Sequence, residues 1–175
     1  MFLRGRLPES TVWPRFRAAG DTFAVRRERG VVDAVVTAPA SRAVDLFLAL
    51  IDELPPAVDV YVDDARTGSR WSGTDLALPD VSEAMARLKL PLTIYGGAEI
   101  SIATEDEQVS LTPLLRLHCL ARNDRWVFLL RGLGLVERPG IAPRSWRLRR
   151  GQFPPAQELT TALSTLADRL KLGST

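Results

Sequence analysis

The chain has 175 residues, 46% of them hydrophobic and 25% charged, which suits a single domain over residues 1–175 with a buried core. One cysteine, Cys119, and one histidine, His118, exclude an internal disulfide, a cysteine-based zinc cage and a histidine-rich metal site, and no cofactor is predicted. The longest strongly apolar run, near Val127 to Val136, is about half a membrane span and carries Arg131, so no membrane association is expected.

The opening MFLRGRLPES lacks the apolar block of a secretory signal, and a reducing cytoplasm is the expected setting. Net charge is only +2, but it is segregated. Residues 1–30 carry seven arginines against three acids, residues 31–115 fourteen acids against five bases, and residues 116–150 nine arginines against two acids. Lys89 and Lys171 are the only lysines, an arginine usage that a GC-rich, bacterial-type genome writes by default.

In chain order, Phe23–Arg27 and Val31–Thr37 flank Glu28-Arg29-Gly30, which predicts a hairpin with glycine at its turn. After Pro39, ASRAVDLFLALIDEL predicts a mostly buried helix that Pro55-Pro56 ends. Val58, Val60 and Val62 alternate with Asp59, Tyr61 and Asp63, the period of a half-buried strand. Residues 64–79 read as a loop. Asp80, with Glu83 three residues on, predicts a capped helix bearing Val81, Ala84, Met85 and Leu88, stopped at Pro91. Leu92–Tyr95 and Ile100–Thr104 read as β, separated by Gly96-Gly97, and an acidic turn leads into Gln108–Leu111.

From Thr112 two readings compete. Thr112-Pro113 suits the start of a helix through Ala121, and Asn123-Asp124 the start of another through Leu133. LLRLHCLAR and RWVFLLR around Asn123-Asp124 also suit a strand hairpin. The two-helix reading is preferred. Leu135–Glu137 and Trp146–Arg149 are expected to form a ribbon around Arg138-Pro139-Gly140. Beyond Pro155, Leu159, Ala162, Leu163, Leu166, Ala167 and Leu170 trace one face of an amphipathic C-terminal helix. The expected fold is α+β, with a mixed or largely antiparallel sheet packed by helices.

Tyr61-Val62-Asp63-Asp64 resembles the strand–turn–strand motif of reverse transcriptases, whose paired aspartates bind catalytic metal ions. The resemblance covers four residues. It implies a further aspartate on an upstream strand, whereas Asp45 and Asp52 fall on the predicted helix and Asp33 in the hairpin. The pair is therefore read as a strand running into an acidic turn, and no metal site is predicted. Gly96-Gly97 and Gly132-x-Gly134 fit neither a dinucleotide fingerprint nor a Walker A sequence. His118 and Cys119 diverge on helix or strand, so they do not pair for nucleophilic catalysis, and His118 is expected to hold a structural hydrogen bond. No catalytic residue is predicted.

Two stretches remain as candidate partner-binding sites. One is the loop carrying Arg66, Arg70 and Trp71; the other is the basic segment with Arg144, Trp146, Arg147, Arg149 and Arg150. Residues 112–150, with GLVERPGIAPRSWRLRR as ribbon, resemble a winged-helix DNA-binding domain, which implies phosphate contacts from the arginines and a recognition helix in the major groove. That helix, NDRWVFLLRGLG, offers only Arg125 and Arg131 to read bases. The leading expectation is a non-enzymatic protein-interaction module, an adaptor, inhibitor or immunity-like partner, binding another protein or itself. DNA binding is the alternative, and an enzyme with a site assembled from scattered residues is the third reading.

Overall fold

The computed structural model describes residues 21–138, 153 and 155–175. In chain order these form strands β1 (Thr22–Glu28) and β2 (Val31–Thr37), helix α1 (Ala40–Ile51), strands β3 (Ala57–Asp64) and β4 (Arg70–Ala77), and helices α2 (Leu78–Ala86) and α3 (Lys89–Tyr95). Strands β5 (Ala98–Ala103), β6 (Glu107–Leu111) and β7 (Leu117–Ala121) follow, then helix α4 (Arg125–Gly132), strand β8 (Val136–Glu137), helix α5 (Gln157–Leu170) and strand β9 (Gly173–Ser174).

All the described strands join one sheet in the order β8-β1-β2-β7-β6-β5-β3-β4-β9. Every pairing is antiparallel except the short one between β1 and β8. This is the α+β arrangement expected, with a mixed, mainly antiparallel sheet. The β1–β2 turn explains its own composition. Arg29 and Gly30 hold φ of 51° and 80°, as a two-residue hairpin turn of the right hand requires, and glycine takes the more extreme value.

One buried cluster joins one sheet face to the helices. Val32, Ala34 and Val36 of β2, Leu117 and Cys119 of β7, Val109 and Leu111 of β6, Ile100 and Ile102 of β5, and Val58, Val60 and Val62 of β3 supply the sheet side. Phe47 and Leu50 of α1, Met85 of α2, Leu92 of α3, Trp126 and Leu130 of α4, and Leu159 and Leu163 of α5 lie against them. Each large side chain so buried contributes about 1.5–3 kcal/mol, so the alternation along each strand fixes which face meets the helices. The C-terminal helix forms as expected, and Lys171, at φ 54°, turns the chain out of it.

Four local expectations are corrected. Residues 70–77, read as loop, form β4; RWSGTDLA shows little apolar alternation because, among the described residues, the outer edge of β4 is paired only with β9, at Trp71 and Ser72. Leu92–Tyr95, read as β, belongs to α3. Pro91 sits in the first turn of that helix, where its missing N–H removes no helical bond, so it begins a helix instead of stopping one. Helix α2 starts at Leu78 with Pro79 in its first turn, so Asp80 lies inside the helix and makes no capping hydrogen bond.

The fourth correction lies at Thr112. No helix runs from there to Ala121. Thr112 accepts a bond from the Arg116 N–H through Oγ1 (3.1 Å), and Leu115 adopts φ 57°, closing a turn between β6 and β7. LLRLHCLA carries both periodicities, and the open edges of β2 and β6 on either side select the strand. The second helix of the pair does form, as α4.

Candidate functional site

The polar alternates of the same strands build the sheet face turned away from the described helices. Register places Val35, His118, Ser110, Ser101, Tyr61 and Ser72 side by side in one row across six strands. Beside this row, Asp63 stands between Glu99 and Arg70; on the other side, Gln108, Ala103 and Asp59 continue the face.

Between these rows lies an open pocket of about 400 Å³, whose lining includes Asp59, Tyr61, Ser72, Thr74, Glu99, Ser101 and Gln108. The floor is held by direct hydrogen bonds. Ser101 and Ser110 share a bond between their hydroxyls (2.9 Å), and Gln108 Nε2 donates to Ser110 Oγ (2.7 Å). Asp59 Oδ1 accepts from the Asp75 N–H (3.0 Å), which fixes its carboxylate where β4 is bulged against β3. Arg70 Nε donates to Asp63 Oδ2 (2.8 Å).

The electrostatics of the pocket are acidic. Among the described residues, Asp63 has Arg70 and Asp33 has His118 (Nδ1 to Oδ1, 3.2 Å), whereas no ion pair joins Asp59 or Glu99 to a cation. Desolvation by its neighbours raises the Glu99 carboxyl above its ordinary range, and the charge of Asp63 adds to this. Burial, then Asp63, likewise raises the Tyr61 phenol, which stays neutral. His118 is half-buried and holds the structural bond expected of it; it bonds to Asp33 and not to the adjacent Ser110.

The Tyr61-Val62-Asp63-Asp64 stretch resolves on strand geometry. Successive side chains point to opposite faces, so Asp63 lies on the polar face and Asp64 is buried among the helices. The two carboxylates therefore cannot share one ion. Asp64 Oδ1 accepts from the Arg66 N–H (2.9 Å) and lies 3.9 Å from its guanidinium, while Thr160 of α5 donates to Oδ2 (3.4 Å). The Arg66 guanidinium also donates to the Tyr95 carbonyl (2.7 Å) and stacks 5.2 Å from the Phe153 ring centre.

The candidate loop residues do not converge. Arg66, expected on a partner-facing loop, is corrected to an interior position: its side chain is 4% exposed and serves the ion pair just described. Arg70 does face outward, at 49% exposure, on the rim of the polar face. Trp71, its neighbour in a strand, points the other way and packs against the core. Arg144, Trp146, Arg147, Arg149 and Arg150 lie outside the described residues. The winged-helix expectation loses its first helix to β7, which stands inside the sheet between β2 and β6.

Sequence reasoning missed Asp59, Tyr61, Glu99, Ser101 and Gln108 as a group. Their signal was present as the polar half of VDVYVDD, AEISIA and EQVSL. Comparison of the chain with protein-family models, curated proteins and solved structures gives no match.

Proposed function

We propose that this chain is a non-enzymatic interaction module of the cytoplasm that receives a partner protein on the sheet face opposite its described helices. The observation that carries this reading is the pocket lined by Asp59, Tyr61, Ser72, Thr74, Glu99, Ser101 and Gln108. A sheet covered on one side only needs polar alternates on its other side, and that need alone is met by any soluble side chains. Here the polar groups are interlocked by hydrogen bonds around a concavity, so their positions are set before a partner arrives. Preorganised contacts lose less conformational entropy on binding. The acidic lining suits neither nucleic-acid phosphate nor an anionic surface.

The test is isolation of the native complex from the producing cells, with the bound protein identified by mass. Thr74→Trp places a bulky ring at an exposed position on the pocket wall and should release that protein. Arg87→Ala, at the C-terminal cap of α2 and away from the pocket, should retain it. Retention by Thr74→Trp would show that the partner sits elsewhere.

A further inference from the structure

Resting on the reading that this face receives a partner, we propose that its occupant is an extended basic segment carrying two arginines four residues apart. Asp59 and Glu99 are the two acids of the pocket that no cation joins among the described residues, and they stand at its two ends. Asp59 and Asp63 are separated by four residues along β3, and Glu99 is the register partner of Asp63. At about 3.3 Å per residue, that separation is roughly 13 Å. An extended segment laid along β3 puts its residues i and i+4 on one side at the same spacing.

Tyr61 and Ser101 occupy the middle of the pocket, side by side in register. The carboxylates on either side accept the guanidinium's forked donors better than they match lysine. Residue i+2 of the segment then falls over Tyr61 and Ser101, where a small polar side chain fits. A volume of about 400 Å³ lies low in the range of roughly 300–1,000 Å³ typical of ligand sites, enough for side chains of one strand but not for a duplex. Desolvation and then Asp63 disfavour the charged form of Glu99, His118 and Arg70 offset this only in part, and an arriving guanidinium relieves it further.

The probe is a fluorescein-labelled nonapeptide of threonine and serine with arginines at positions 3 and 7, read by anisotropy at low salt. Its isomer with arginines at positions 3 and 4 has the same composition and charge. The spaced peptide should bind at least about fivefold tighter than the isomer. Asp59→Asn and Glu99→Gln should each weaken it about three- to tenfold, and the double variant should abolish the preference for spacing. Both variants keep the side-chain shape, and circular dichroism confirms their folding. Equal binding of the two isomers, no binding of either, or binding unchanged in both variants overturns the proposal. If native partner is released by Thr74→Trp although no arginine peptide binds, the docking face stands and its occupant is wrong. If Thr74→Trp retains the native partner, the docking reading itself has failed.

Discussion

The guanidinium of Arg66 fills the space that a side chain on Gly97 would need: a Cβ there would lie 2.1 Å from Arg66 Nη1. Gly97 also holds φ +80°, a conformation that costs other residues about 1–2 kcal/mol or more. Gly97→Ala is therefore expected to force Arg66 out of its buried site as well as strain the backbone. A loss of at least ~3 kcal/mol follows, because evicting one member of a buried pair leaves the other uncompensated. Urea unfolding of the variant checks it; a loss below ~1 kcal/mol would mean that the arginine has another place to go.

The two aspartates of the acidic pair should answer differently to the same change. Asp64→Ala removes the carboxylate beside Arg66, which is 4% exposed, and breaking such a buried pair costs about 3–5 kcal/mol. Asp63→Ala removes a partner of the exposed Arg70, where solvent screens the interaction, and should leave the melting temperature nearly unchanged. Equal effects from the two substitutions would contradict their placement on opposite faces.

Leu163 is fully buried on α5 within the main cluster. Truncation to alanine leaves a cavity beneath the helix, and Leu163→Ala should destabilise the fold by about 2–5 kcal/mol. Thr161→Ala, on the exposed side of the same helix, serves as its control. A marginal effect at Leu163 would mean that α5 is not packed as described.

Glu99 sets a pH dependence whose sign is fixed by its raised pKa. The folded chain holds this proton more tightly than the unfolded chain does. Its contribution is therefore most favourable below the ordinary carboxyl value of 4.5 and is lost as pH rises through the higher folded value. Glu99→Gln removes this penalty, so its melting temperature should gain on the wild type between pH 4 and pH 7. A gap between the two proteins that is constant over that window would refute the assignment.

Much of the fold was legible because single strands and helices state their buried faces. VDVYVDD declares β3 unaided, and Arg29-Gly30 declares the hairpin before it. Where the sequence was ambiguous, neighbours decided. LLRLHCLA serves helix or strand equally, and becomes β7 because β2 and β6 have edges to fill. RWSGTDLA hides β4 because a strand near the margin of the sheet buries little. Pro91 misleads because proline ends one helix and begins another with the same chemistry. The site was the least legible part. Asp59 and Glu99 become members of one pocket only once β5 is known to lie beside β3, forty residues further along the chain.

Strands β2 and β3 follow one another in the chain, linked only by α1, yet β7, β6 and β5 stand between them. The two halves of the sheet therefore have no shared edge until the meander of residues 98–121 slots into the gap. During synthesis the first hairpin and the β3–β4 pair must wait, each with a bare flank, for the last piece that joins them. Such distant pairing makes folding slow relative to helical chains of this size. Until that meander is in place, β2 and β3 each present an open edge that can pair with a neighbouring chain.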